Sequence, residues 1–329
     1  MSAATMRAAV VEREGELPVA REVKRPGPAE GRIPVEVAFS TLNPVEIRLA
    51  AGRVGGPPEV PYVPGVEGVG RVVEGPRAGS LARFECALPG HGSNGALAEL
   101  AEGDPASVCV LPDDADPALA AAVGLVGVTA ALALDAGAPV EDARVAVLGA
   151  TGSVGRLAVQ LARRRGAARV VAVGRDRTAL ERARELAADA VVEIGRGDDR
   201  DALAAALREA AEGPLDLVVD ALWGVPGAAA VTALADGGRA VNVGQAAGAQ
   251  EPPPLGELRD RRAALIGMSS GWTAMERKRE VYAGVLEAAL AGEVKVDHEV
   301  VALEEIAEAW ERQQGSPHAK LVIEIGGVG

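Results

Sequence analysis

The chain has 329 residues, 48% hydrophobic, 25% charged and only 2% aromatic, with a formal net charge of −13. That size and balance suit about two globular domains and exclude disorder, collagen and coiled coil. The acidic charge argues against double-stranded nucleic acid as a partner, and two cysteines, Cys86 and Cys109, are too few for a disulfide framework or a four-cysteine zinc cluster.

The N-terminal MSAATMRAAVVEREGELPV has no long apolar run and no cleavage signature, so it does not read as a signal peptide, and a cytoplasmic protein is expected. Short Val/Ala runs divided by Gly and Pro follow: MRAAVVE, IPVEVAFS, GVGRVVEG, LARFECAL and ASVCVLP. They predict a compact barrel-like unit. At Asp116-Pro117 the texture changes. The uncharged run Pro117–Leu134 is weakly apolar, mostly Ala and Gly, and reads as a buried interdomain helix rather than a membrane span. Strands are then expected at 143–149, 168–174, 190–195, 215–221, 239–244 and 263–268. Helices fit between them at Val154–Arg165, Thr178–Ala187, Arg200–Ala211 and Gly227–Ala235. Continuous apolar strands alternating with helices predict a parallel sheet covered on both faces, a doubly wound dinucleotide-type domain. The tail predicts a helix over Met275–Ala291, the strand EVKVDHEVVAL, a helix over Leu303–Gln313 and a last strand, KLVIEI.

The sharpest motif lies in ARVAVLGATGSVGRLAVQLARRRGA. A buried strand ends at Gly149, Ala150-x-Gly152-x-x-Gly155 follows, and an amphipathic helix opens. This is the dinucleotide fingerprint G-x-G-x-x-G with alanine in the first place. Gly152 lets the backbone approach a pyrophosphate, Gly155 lets the helix pack on the strand, and the amides of Ser153 and Val154 point at the phosphates. An ordinary glycine-rich turn is the plain alternative, but here strand, turn, helix and next strand are all in place. An NAD site carries an acid about 20 residues on, at the end of the second strand. Gly174 stands there, followed by Arg175 and then Arg177. A guanidinium grips a 2′-phosphate that a carboxylate would repel, so NADPH is expected over NADH. Asp176 is the contrary feature, since it is placed to face a ribose hydroxyl. The string GATGSVG also resembles short-chain dehydrogenases. In those proteins the turn lies near the chain start and a Tyr-x-x-x-Lys pair follows; here Val66 stands four residues after Tyr62, and Leu286 four after Tyr282.

The segments STLNPVEIRLAAG (40–52), PYVPGVEGVGRVVE (61–74), GALAEL (95–100), GLVGVTAALAL (124–134), GRAVNVG (238–244) and HAKLVI (318–323) occur in this order. Together they resemble the medium-chain dehydrogenase/reductase superfamily, in its zinc-free quinone oxidoreductase branch. The resemblance covers almost the whole chain. It implies an α/β protein with two domains: a GroES-like β-barrel catalytic domain over 1–122 and 268–329, and a Rossmann doubly wound parallel-sheet domain over 123–267. The zinc enzymes of the superfamily place a Cys where Asn43 stands, and a His where Gly65-Val66-Glu67 has Val66. No metal is therefore expected, and His91, His298 and His318 read as loop, strand and C-terminal turn residues in no ligand spacing. Without a Lewis acid an alcohol is hard to oxidise. Hydride addition to a C=C conjugated with a carbonyl needs only orientation and hydrogen bonds to the developing oxyanion. The implied reaction is NADPH-dependent reduction of quinones or α,β-unsaturated carbonyls.

The resemblance also implies site residues. Asn43 and Thr129 are the catalytic candidates beside the nicotinamide; a turn-forming Asn and a helix Thr bonded to its own backbone are the alternatives. Asn242, Val243 and Gly244 end a strand at the sheet edge where open α/β proteins bind ligands, and Met268-Ser269 follow the last strand. Lys320 matches a position that reaches the cofactor in relatives, with a surface charge as its alternative. Glu67 reads as structural. Tyr62, Leu97 and Trp272 are expected around the substrate. Leu97 replaces an aromatic found in many relatives, so no phenol donor is expected there. Trp272 and Trp223 lie near strand ends, either as an apolar platform for a ring or as packing at the domain interface. A homodimer is expected through the edge segment AALIGM. Two rival readings stay open: a tailoring reductase or reductive cyclase of secondary metabolism, and a cofactor-binding scaffold whose chemistry has decayed.

Overall fold

The computed structural model describes residues 4–27, 29–195 and 197–326. They form two compact units: one holds the chain up to Leu125, Ala274–Leu290 and everything from Val296 on, and the other holds Val126–Thr273 and Ala291–Lys295.

In the first unit β1 (Thr5–Val10) pairs antiparallel with β2 (Val19–Lys24). β3 (Ile33–Thr41) leads into the helix α1 (Pro44–Ala50), then β4 (Glu67–Val72), β5 (Leu81–Glu85), β6 (Leu100–Gly103) and β7 (Cys109–Val110). The strands β2 and β6 are additional to those expected. VAREVK alternates poorly and is mostly exposed, and LAEG is short. The helix α2 (Pro117–Gly137) runs past Leu125 into the second unit. It is long and apolar enough to cross a membrane by length and composition, but 78% of its apolar window is buried inside the protein.

The second unit follows as β8 (Arg144–Leu148), α3 (Ser153–Arg164), β9 (Arg169–Gly174), α4 (Arg177–Leu186), β10 (Ala190–Glu193), α5 (Arg200–Ala210), β11 (Leu215–Asp220), α6 (Gly224–Thr232), β12 (Leu234–Asn242), α7 (Leu255–Asp260) and β13 (Ala264–Gly267). All six strands are parallel, in the order β10-β9-β8-β11-β12-β13. Counted from β8, that is the doubly wound order 3-2-1-4-5-6. The central strand RVAVL is buried from Val145 to Leu148, as a strand covered on both faces must be. On α3, Gly155, Leu157, Ala158, Leu161 and Ala162 recur at helical spacing and are buried, while Arg163 and Arg164 favour the negative end of its dipole.

The chain returns to the first unit with α8 (Met275–Leu290), β14 (His298–Ala302), α9 (Ile306–Gln314) and β15 (Lys320–Glu324). The expected strand EVKVDHEVVAL is cut to its second half, β14. The first unit's larger sheet runs β14-β15-β3-β4-β5-β7, with β6 also on β3. Val35, Leu42, Phe84, Leu97, Trp310 and Leu321 are among its fully buried core.

Candidate functional site

The glycine turn is built by local necessity. After β8, Gly149 takes φ +79°, and the amides of Gly149 and Ala150 both donate to the carbonyl of Val173 on β9, at 2.9 and 3.0 Å. The Gly152 amide closes the turn on the Gly149 carbonyl at 3.0 Å. A Cβ at Gly155 would collide with that same carbonyl oxygen, so glycine is required for the helix to pack this close. A Cβ at Gly152 would meet nothing nearer than the Gly149 oxygen at 3.5 Å. The backbone there is open to an approaching group, with Ser153 and Val154 starting α3 behind it. Such a cradle of free helix-start amides fits a pyrophosphate.

At the end of β9 a Cβ on Gly174 would come within 2.9 Å of the Thr151 methyl, so packing accounts for this glycine. Asp176 caps α4: its carboxylate accepts from the Ala179 amide at 2.9 Å. Arg177 pairs with Glu181 at 3.2 Å and lies 3.7 Å from Glu193. Arg175 is exposed and makes no ion pair among the described residues.

Asp220, buried at the end of β11, ties the neighbouring strand ends together. It accepts from the amides of Leu222 and Trp223 at 2.8 and 2.9 Å, and from Asn242 Nδ2 at 2.7 Å. Burial pushes its carboxyl up, against those three hydrogen bonds. Asn242 Nδ2 also donates to the Gly244 carbonyl at 2.7 Å, and the Met268 amide to the Asn242 carbonyl at 2.9 Å. Asn242, Val243, Gly244 and Met268 therefore sit together at the C-terminal edge of the sheet, with Ser269 exposed beside them. Thr129 Oγ1 lies 3.4 Å from Ser270 Oγ, so it bonds a partner outside its own helix.

The first unit holds a cluster of charges that sequence reasoning did not foresee. Asn43, only 2% exposed, precedes α1. Its Nδ2 lies 3.2 Å from Thr41 Oγ1 and 3.4 Å from both Glu46 Oε1 and Glu67 Oε1. Its Oδ1 accepts from Lys320 Nζ, which also donates to the Leu42 carbonyl at 2.9 Å. Glu46 takes the Asn43 amide at 2.8 Å and the Val66 amide at 3.2 Å. Burial raises Glu46 to about 7, with Lys320 pulling the other way. Burial lowers Lys320 to about 8, against the attraction of Glu67 and Glu46. Arg83 Nη2 reaches Glu67 Oε2 at 2.8 Å and Glu85 Oε1 at the same distance. The second contact is poorly aligned for a hydrogen bond and is Coulombic. Lys278 Nζ donates to Glu85 Oε2 at 2.7 Å. Burial opposes the charges of Arg83 and Glu85; their partners outweigh it, holding Arg83 above its usual range and Glu85 below.

These contacts correct several expectations. The Asn43 amide is occupied on both sides inside the unit, so it is an internal link rather than a free donor to substrate. Lys320 is 2% exposed with its ammonium engaged, so it is neither a surface charge nor a side chain free to reach a cofactor. Leu97 is fully buried in the core and lines no open pocket. Tyr62 is buried too, its hydroxyl without a partner among the described residues; burial and the charge of Glu46 push it up to about 12. Trp272 is 93% exposed on a short turn over Ser270–Trp272 and encloses nothing there.

The family described as zinc-binding dehydrogenases matches residues 153–289. An alcohol dehydrogenase of Geobacillus stearothermophilus is 27% identical over 97% of this chain and 99% of its own length. A quinone oxidoreductase of Sus scrofa is 31% identical over 44% of this chain and 45% of its own. A probable acrylyl-CoA reductase of Escherichia coli is 32% identical over 45% and 48%. This chain thus spans less than half the length of the last two. A mycobacterial protein solved with NADPH superposes with a TM-score of 0.84 at 22% identity, over 97% of this chain and 99% of its own, which shows the shared fold. In sequence and fold the chain is similar to the medium-chain dehydrogenase/reductase superfamily. The relatives named here are all oxidoreductases, quinone oxidoreductase among them. The family's description implies zinc, and the donor set does not fit it. Asn43 is committed elsewhere, Val66 offers no donor atom, and among the described residues no group of three or more His, Cys, Asp or Glu could hold a metal ion.

Proposed function

We propose that the protein is an NADPH-dependent, zinc-independent reductase of quinones or α,β-unsaturated carbonyl compounds. The observation that carries the cofactor reading is the disposition at the end of β9. Asp176 is spent on the cap of α4, while Arg175 is exposed and free of carboxylates. A 2′-phosphate there would meet the Arg175 guanidinium, with the neighbouring Asp176 carboxylate turned to the α4 cap. Bound at the glycine turn, the reduced dinucleotide supplies the hydride. The chain binds and orients it through the helix-start amides of α3 and the Asn242–Gly244 edge. With Asn43 and Val66 at the positions where zinc relatives carry ligands, the residues favour a reaction whose acceptor needs no metal-lowered pKa. Names among the relatives, quinone oxidoreductase and acrylyl-CoA reductase, point to the same kind of electron-poor acceptor.

Steady-state kinetics on a panel of quinones and enones test this. kcat/KM with NADPH is expected to exceed that with NADH, and Arg175→Ala to reduce that preference about tenfold, the worth of one charge-assisted contact. A chelator is expected to leave the rate unchanged. A preference for NADH, or a rate that depends on added zinc, would overturn the corresponding part.

The subunit arrangement belongs to the same proposal. β13 is the outer strand of the parallel sheet, and Ala264, Leu265 and Ile266 on it are half-buried. Its outer backbone groups have no strand partner among the described residues, which is the usual invitation to pair with a second copy. Light scattering is expected to give a dimer; a monomer would remove this element.

A further inference from the structure

Trp223 stands immediately before α6 with φ 49° and ψ −148°. Only glycine adopts that conformation without strain, and such strain persists where the surroundings over-determine it. Here they do. The Trp223 amide donates to Asp220 Oδ1 at 2.9 Å. The indole Nε1 donates to the Glu251 carbonyl at 3.0 Å. The ring lies over Gly227, where a Cβ would come within 2.8 Å of Cε3. Next to it the Ala246 and Ala247 amides donate to the carbonyls of Ala221 and Leu222, at 3.2 and 2.8 Å, and Trp223 itself bridges to Gly248.

The segment that follows Asn242–Gly244 is thus laced back onto the chain beyond β11, and the indole supplies its only side-chain tie to Glu251 among the described residues. That region adjoins the phosphate turn, since a Cβ on Gly149 would touch Leu222 and Ala221 at 3.3 and 3.4 Å. A glycine at 223 would relieve the backbone and still let the amides pair. It could not hold Glu251.

We infer that Trp223 is a positioning residue for the dinucleotide: its indole pins residues 245–251 and thereby fixes the Asn242–Gly244 edge against which the cofactor binds. This rests on the cofactor reading proposed above. A tryptophan that merely filled space would protect the whole unit; this one protects a defined segment, and removing it relieves strain at the same time.

The test compares wild type, Trp223→Gly and Trp223→Phe by heat denaturation, amide hydrogen exchange of the free protein and NADPH kinetics. In Trp223→Gly the melting temperature is expected to move by no more than about 3 °C, because relief of strain offsets lost packing. The amides of 245–251 are expected to exchange about tenfold faster, the effect of losing one ordinary hydrogen bond. KM for NADPH should rise about tenfold with kcat changed less than about twofold, as for an interaction made equally in ground and transition states. Trp223→Phe keeps the ring over Gly227 but not the bond to Glu251, and is expected to fall between. Unchanged exchange in 245–251, or faster exchange spread through the unit in step with a lower melting temperature, would overturn the inference. A wild-type protein that binds no NADPH would sink the cofactor reading instead, and the exchange pattern would still decide whether the indole holds the segment.

Discussion

Replacing Glu67 with alanine is expected to lower the unfolding free energy by about 3–5 kcal/mol, because it strands a guanidinium inside the protein. Arg83 is 1% exposed and its two carboxylate partners are Glu67 and Glu85, the latter shared with Lys278. The two acids and two bases balance; without Glu67 they do not. Glu67 has a second task. The helix α2 is broken at Gly124, and the Leu125 amide beyond the break donates to both oxygens of Glu67, at 3.0 and 2.8 Å. A Cβ on Gly124 would collide with the same carboxylate, which explains the glycine at the break. Alanine at 67 therefore removes a helix cap as well as a counter-charge. Equilibrium denaturation reads the loss. The double replacement Glu67→Leu with Arg83→Met is expected to recover at least about half of it, since a packed apolar pair has no charge to desolvate. A cost for Glu67→Ala below about 1 kcal/mol, the range of exposed pairs, would show that the cluster is solvated.

Those residues explain what the sequence revealed and what it concealed. The glycine turn was legible because strand, turn and helix are contiguous, and each glycine answers to a neighbour a few residues away. The six parallel strands were legible because continuous Val/Ala runs such as ARVAVLG admit little else. The charge cluster joins residues 43, 46, 67, 83, 85, 278 and 320, which only the register of β3, β4, β5 and β15 and the packing of α8 bring together. One signal was present. In LARFEC, strand alternation puts Arg83 and Glu85 on one face and Ala82 and Phe84 on the other, yet all four are buried. A rule that turns polar residues outward misses a strand with two inner faces. Lys320 was hidden for the same reason: its neighbours in the chain say nothing of the Asn43 amide that β15 lays beside it. The conformation of Trp223 had no signal at all, since glycine is the residue that pattern would announce.

Glu46 and Lys320 give the protein a pH dependence whose sign can be worked out. Folded Glu46 titrates at about 7, against an ordinary 4.5. The native state keeps a proton that the unfolded chain releases, so this contribution to stability is whole below pH 4.5 and is lost as pH rises through about 7. Folded Lys320 titrates at about 8, against an ordinary 10.5. Its contribution is whole above pH 10.5 and is lost as pH falls through about 8. The two losses overlap between about 7 and about 8, where stability from this pair is lowest. Glu46→Gln isolates the acid limb. At pH 5 the wild-type carboxyl is protonated and, like an amide, offers one full acceptor to the Asn43 and Val66 amides, so the two proteins are expected to be equally stable. At pH 8 the wild type carries a buried anion that the variant lacks, and the variant is expected to be more stable by about 2–3 kcal/mol, the worth of such a raised carboxyl. A variant weaker than wild type by the same margin at both pH values would mean that Glu46 is ionised throughout and serves Lys320 as a fixed counter-ion.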